Sequence, residues 1–161
     1  LATLLERVQV LHITGTAEES TAQAVHSTLL ASLAGRYHPY AYLHEEISAA
    51  FSCASLVLSR AGASTLGELP LFGLPAILVP YPFAWRYQKV NAEHLVKHGA
   101  AVMIENAALS GQLSDTVITI LNDEQKLNTM RANMRSLATP KAAEKIADLL
   151  VELGTRKAGS K

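Results

Sequence analysis

The fold of this 161-residue chain is decided by residues 56–68, which run Leu-Val-Leu-Ser-Arg-Ala-Gly-Ala-Ser-Thr-Leu-Gly-Glu. The apolar run from Ser55 to Leu58 is short and continuous, as in a parallel strand that is covered on both faces. Gly62 and Ala63 then allow a ligand to approach the backbone closely. The next residues, Ser64 and Thr65, are typical of a helix start. We therefore predict a buried strand, a loop of small residues and the first turn of a helix.

The helix start after this loop admits two interpretations. Free N–H groups and a partial positive charge at a helix N-terminus favour an anion such as a phosphate. Alternatively, Glu68 follows Thr65 by three positions, as in a capping box, and bonds only to the Thr65 amide. The loop lacks the lysine of a P-loop and the spaced glycines of a dinucleotide fingerprint. These residues alone leave both interpretations open.

Composition and charge are those of an ordinary globular protein. The chain is 49% hydrophobic and 17% charged, and 14 basic residues balance 14 acidic ones, so no nucleic-acid-binding surface is expected. The single cysteine, Cys53, excludes an internal disulfide and is expected to be buried. The apolar runs are all shorter than about 18 residues, so we expect no transmembrane segment, and we expect no signal peptide. Because the chain begins at Leu1 with what resembles the end of a helix, we expect further residues upstream.

Strand-like and helix-like segments alternate along the chain. The predicted strands cover residues 8–13, 39–43, 56–58, 76–79 and 100–104, and the predicted helices cover 18–34, 45–53, 64–72, 87–98, 110–121, 123–138 and 140–153. This alternation predicts an α/β fold with a doubly wound, Rossmann-like parallel sheet. We assign residues 1–153 to one domain and residues 154–161 to a polar tail.

Ligands of doubly wound sheets bind outside the carboxyl ends of the strands. In this chain four predicted loops should meet at that edge, at residues 14–15, 44–45, 60–65 and 81–88. Their convergence favours the phosphate interpretation of the central loop.

Several of these segments resemble one family of enzymes. The similar residues are Ser59–Thr65, Glu68, Gly73–Pro80, Gln88, Asn91, Ala92 and Gly99–Ala101. They resemble the donor-binding domain of the MurG-type UDP-N-acetylglucosamine:lipid-linked muramyl-pentapeptide N-acetylglucosaminyltransferases. The similarity runs from Val8 to Leu153 and implies the C-terminal half of a GT-B glycosyltransferase. It also implies that the first strand of this half, with its Gly-Gly-Ser loop, lies outside the chain.

The resemblance implies an inverting hexosyltransferase that moves N-acetylglucosamine from UDP-N-acetylglucosamine to a lipid-linked peptidoglycan precursor. Neither a cofactor nor a metal is implied. The acceptor would bind through an N-terminal domain that this chain lacks, so no catalytic residue is expected here and the chain alone should be inactive. The full-length protein would be cytoplasmic and peripheral at the inner face of the cell membrane.

The resemblance also assigns roles to single residues. Residues 63–65 would face the diphosphate, Glu68 would bond the ribose hydroxyls, the backbone at His44 would meet the uracil, and Gln88 would bond the sugar. A carboxylate suits a vicinal diol because each of its oxygens can accept a hydrogen bond from one hydroxyl. The full set of expected substrate-binding residues is His44, Arg60, Gly62, Ala63, Ser64, Thr65, Glu68, Tyr87, Gln88 and Asn91.

Two departures from the family pattern keep other functions open. Tyr87 stands where the family has Gln or His, and Pro70 is an unfavourable residue for the helix that carries Glu68. Trp85 could stack on a sugar or base, or pack against the partner half. The alternatives are a UDP-sugar-binding subunit of a split glycosyltransferase and a non-catalytic module that retains only the fold. The pair His94 and His98 lacks a third metal ligand, so no metal site is predicted.

Overall fold

The computed structural model describes residues 1–83 and 87–158. Within them the chain forms five strands, nine α-helices and one 3-10 turn. In chain order these are α1 (Ala2–Leu5), β1 (Val10–Ile13), α2 (Glu19–Thr28), α3 (Ala31–Ala34), β2 (Tyr37–Tyr40), α4 (Ile47–Cys53), β3 (Val57–Ser59), α5 (Thr65–Phe72), β4 (Ala76–Leu78), α6 (Tyr87–Lys97), β5 (Ala101–Met103), the 3-10 turn (Asn106–Ala108), α7 (Leu109–Asn122), α8 (Glu124–Ser136) and α9 (Ala142–Ala158).

All strand pairs among the described residues are parallel, and the predicted α/β class is confirmed. The strands form two ladders rather than one continuous sheet. In the first, β1 pairs with β2, with Val10 opposite Tyr37. In the second, β4 lies between β3 and β5, with Ala76 opposite both Val57 and Ala101.

The core is centred on β4, whose three residues are fully buried. Its alternate side chains enter different clusters, as the period of a strand requires. Ala76 and Leu78 pack with residues of α5, α6 and α8, whereas Ile77 packs with residues of α7 and α8. Helices therefore cover both faces of this ladder, which is the doubly wound arrangement. Burying Ile77 and Leu78 stabilises the fold by about 1.5–3 kcal/mol each.

Strands β1 and β3 each have one edge without a strand partner, and both strands carry exposed apolar side chains. Leu58 is 45% exposed, Leu11 43% and Ile13 40%. Val57 donates its N–H to the Pro75 carbonyl, so the backbone groups of the next residue, Leu58, are directed to the open edge. Such exposure is unusual because parallel strands are normally covered on both faces.

The helix predicted over residues 18–34 is wrong in one respect, since the chain is extended at Leu29 and Leu30 and divides it into α2 and α3. The hydroxyls of Ser27 and Thr28 donate to the carbonyls of Ala24 and Val25 at 2.8 Å. These bonds give carbonyls of the last turn of α2 additional side-chain donors.

Other predictions also differ from the structure. The strand predicted to be buried after Ser55 is β3, whose residues are half-buried or exposed, and the strand predicted over residues 39–43 lies at Tyr37–Tyr40. Cys53 is exposed, because it ends α4 on the face opposite to Phe51, which packs on Phe72 with ring centroids 5.4 Å apart. Helix α9 continues past Leu153 to Ala158, so part of the predicted polar tail is helical. No helix within the described residues is long and apolar enough to cross a membrane.

Candidate functional site

The loop after β3 is held by the side chain of Thr65. Thr65 is 7% exposed, and its Oγ1 donates to the Arg60 carbonyl at 3.2 Å. Ser64 is the N-cap of α5, and its side chain makes no capping bond. Among the described residues the Glu68 carboxylate makes no bond to the Thr65 amide, so the structure contains no capping box at this helix. The N–H groups of Ser64 and Thr65 are left for another acceptor.

Glu68 is exposed and lies in a cleft of about 670 Å³. The cleft is lined by Ile13, Tyr42, Leu43, His44, Glu45, Ile47, Phe51 and Glu68. It therefore lies where β1 and β2 end and α5 begins, at the carboxyl edge that the sequence predicts. Apolar and aromatic side chains together with the carboxylates of Glu45 and Glu68 suit a flat ring that carries hydroxyl groups.

His44 contributes to this cleft through both backbone and ring. Its N–H donates to Oε2 of Glu46 at 3.2 Å, and its ring centroid lies 4.7 Å from that of Tyr42. Tyr42, Glu45 and Phe51 belong to the cleft but were not predicted as site residues. The available signal was the position of Tyr42 just after a strand, because aromatic side chains at strand ends often line ligand sites.

Arg60 lies on the opposite side of the loop and contacts the end of β4. Its Nη1 donates to the Val79 carbonyl at 3.1 Å and to Oδ1 of Asn106 at 2.8 Å. The guanidinium also lies over the ring of Tyr81. This side chain therefore ties the loop to two neighbouring segments.

The start of α6 carries three of the predicted site residues. Oε1 of Gln88 accepts the Tyr81 N–H at 2.9 Å, and within residues 1–83 and 87–158 the amide nitrogen of Gln88 has no partner. Nδ2 of Asn91 donates to the Ala61 carbonyl at 3.0 Å. Tyr87 is 75% exposed. Trp85 lies outside the described residues.

The predicted residues thus form two neighbouring groups. Glu68 and His44 share the cleft, whereas Arg60, Gln88 and Asn91 bond to the protein itself, at Val79, Tyr81 and Ala61. A second depression, of about 660 Å³, is lined by residues of α8 alone and receives no loop. The His94 and His98 rings are 4.6 Å apart, and the described residues hold no group of three or more His, Cys, Asp or Glu that could bind a metal.

The glycosyltransferase family 28 C-terminal domain matches residues 1–149 of this chain. The chain belongs to that family. The resemblance seen in the sequence is confirmed, and so is the assignment to the C-terminal half of a GT-B enzyme.

Two relatives of this family 28 domain carry the same description, UDP-N-acetylglucosamine–N-acetylmuramyl-(pentapeptide) pyrophosphoryl-undecaprenol N-acetylglucosamine transferase. The protein of a Roseiflexus species is 38% identical over 98% of this chain and 40% of its own length. That of Desulforudis audaxviator is 41% identical over 92% of this chain and 42% of its own length. The family 28 domain therefore spans about two-fifths of the relatives that it matches.

A solved structure shows the same architecture. The crystal structure of Acinetobacter baumannii MurG superimposes with a TM-score of 0.75 over 93% of this domain and 44% of the MurG chain, at 27% identity. The arrangement of parallel strands and covering helices is therefore that of a MurG half.

Proposed function

We propose that this domain binds UDP-N-acetylglucosamine as the donor half of an inverting glycosyltransferase. The enzyme would transfer N-acetylglucosamine to a lipid-linked peptidoglycan precursor. The observation that carries the proposal is the position of Glu68, whose exposed carboxylate lies in the cleft one helical turn from the N–H groups at the start of α5, which have no acceptor among the described residues. The descriptions of the relatives support the choice of sugar and acceptor.

Three parts of the donor would bind at three places. The uridine enters the cleft, where Glu68 accepts hydrogen bonds from both ribose hydroxyls and the backbone at His44 contacts the base. The diphosphate lies over residues 62–65, whose small side chains and helix start favour an anion. The sugar extends towards Tyr87 and Gln88, and the free amide nitrogen of Gln88 donates to a sugar hydroxyl.

In the reaction, this half of the enzyme would stabilise the leaving group, UDP. As the glycosidic bond to the phosphate breaks, negative charge develops on UDP, and amide groups that already point at the diphosphate stabilise it. Activating the acceptor hydroxyl requires a base, and we assign none to this chain. The base and the lipid-linked acceptor would belong to the rest of the protein, so we expect no turnover from these residues alone.

We infer that residues 1–153 form the donor-binding domain and that its sheet is completed by one more parallel strand between β1 and β3. The open edges of these strands and their exposed apolar residues support this assignment. The length of the relatives supports a source outside these 161 residues. A lipid-linked acceptor would bring the full-length enzyme to the inner face of the cell membrane as a peripheral, cytoplasmic protein.

Calorimetric titration of the purified chain with UDP-N-acetylglucosamine, UDP and uridine tests the proposal. The variant Glu68→Ala should weaken all three ligands by at least about tenfold, because each loses hydrogen bonds to a charged group. Glu124→Ala is the matched control, since Glu124 also lies in the first turn of a helix but away from the cleft. No binding by the folded wild-type chain at millimolar ligand, or equal affinities for wild type and Glu68→Ala, would contradict the proposal.

A further inference from the structure

Two successive carbonyls of the loop at residues 60–65 accept hydrogen bonds from side chains. The Arg60 carbonyl accepts from Thr65, its neighbour at the start of α5, at 3.2 Å. The Ala61 carbonyl accepts from Nδ2 of Asn91 on α6 at 3.0 Å, a bond between residues 30 positions apart. Ala61 is fully buried and Asn91 half-buried, so water competes poorly for this bond.

The bond from Asn91 fixes the orientation of the next peptide group. A trans peptide is planar, and its carbonyl and N–H point in opposite directions. The described residues contain no cis peptide bond. Because the Ala61 carbonyl is directed at α6, the N–H of Gly62 is directed away from α6. Within the described residues this N–H has no hydrogen-bond acceptor.

We propose that Asn91 is a positioning residue for the donor diphosphate. Its amide holds the Ala61–Gly62 peptide so that the Gly62 N–H faces the phosphates, and Asn91 itself does not touch the nucleotide. This inference rests on the proposed function and replaces the expectation from sequence that Asn91 contacts the donor.

The opposite orientation of this peptide would harm anion binding. A flipped Ala61–Gly62 peptide presents a carbonyl oxygen, which carries partial negative charge, where the N–H stood. Gly62 would tolerate such a flip because a glycine backbone reaches conformations closed to other residues. A bond from outside the loop is therefore needed to select one orientation.

The consequence differs between ligands that carry phosphates and one that does not. Uridine occupies only the cleft, whose lining includes neither Asn91 nor residues 60–65. UDP places its phosphates at the loop. Loss of the Asn91 amide should therefore weaken UDP and leave uridine unchanged, which a general loss of structure would not do.

The test compares UDP, uridine and UDP-N-acetylglucosamine binding to wild type, Asn91→Ala and the control Asn133→Ala. Asn133 makes the same kind of bond elsewhere, from its Nδ2 to the Gly99 carbonyl at 3.2 Å. We expect Asn91→Ala to weaken UDP about three- to tenfold and uridine less than about twofold, and Asn133→Ala to change neither. Circular dichroism verifies the fold, and Asn91→Leu, which keeps the volume, replaces Asn91→Ala if that variant does not fold.

The outcomes separate the two proposals. If wild type binds UDP and Asn91→Ala weakens UDP and uridine equally, or weakens neither, the positioning role is wrong and the donor site stands. If UDP-N-acetylglucosamine is weakened much more than UDP, Asn91 contacts the sugar and the positioning role is again wrong. If wild type binds none of the three ligands, the donor site itself is wrong and the inference fails with it.

Discussion

The guanidinium carbon of Arg60 lies 5.5 Å from the ring centroid of Tyr81, in a cation–π arrangement. The same guanidinium group donates to the carbonyl of Val79, two residues earlier than Tyr81. Arg60, in the loop after β3, therefore holds residues 79–81, which follow β4. This contact makes Arg60 a structural link between two of the loops that the sequence predicts to converge.

We expect Arg60→Lys to destabilise the chain by about 1–2 kcal/mol. A lysine ammonium lacks the planar fork that reaches both Val79 and Asn106, and it stacks less well on Tyr81. Urea denaturation followed by circular dichroism measures the loss. The control is Arg131→Lys, which removes only a bond to Asn128 on the same helix and should cost less than about 0.5 kcal/mol. Equal stabilities of the two variants would show that the link contributes nothing.

Gly73 is the second position where a substitution has a clear structural consequence. It ends α5 with φ +59°, and a Cβ added there would collide with the side chain of Arg135. Gly73→Ala should therefore lower the free energy of unfolding by about 1–3 kcal/mol. Gly111→Ala, inside α7 with no atom within 4 Å of the new Cβ, should raise it by about 0.5–1 kcal/mol. Thermal melts of both variants test this pair, and a destabilised Gly111→Ala would show that helix propensity does not control that position.

Hydrogen exchange tests the inferred additional strand. The amides of Leu11, Ile13 and Leu58 are directed to open edges, so they should exchange rapidly in this chain. In the full-length protein a further strand would form backbone hydrogen bonds with these edges. At least some of the three amides should then exchange about 100-fold more slowly. The Ile77 amide, on a strand paired on both sides, should be slow in both proteins and serves as the control. Unchanged exchange at all three positions would exclude the strand.

The fold class could be predicted because buried parallel strands have a local signature. Residues 76–79 are continuously apolar between Pro75 and Pro80, and the structure places β4 there, buried on both faces. The break at Leu29 could not be predicted in the same way. The helical pattern of residues 18–34 does not mark the position, at Leu29 and Leu30, where the backbone becomes extended.

The site was predicted less completely than the fold. The place of Glu68 in the first turn of α5 was predicted, but the choice between a capping box and a free carboxylate was not, because the N-cap of α5 is Ser64 rather than Thr65. The Thr65 hydroxyl bonds to the carbonyl five residues before it, and no rule of local sequence selects that partner. The bond between Asn91 and Ala61 crosses 30 positions, so only the tertiary arrangement reveals it.

The burial of Ala61 affects both the conformational entropy that is lost when a ligand binds above it and the rate at which the ligand binds. With its carbonyl already engaged by α6, this part of the chain has little freedom left to lose at the moment of association. Related nucleotides that differ in affinity should then differ in binding enthalpy and in dissociation rate. Their association rates and the entropy lost in ordering the protein should be nearly constant.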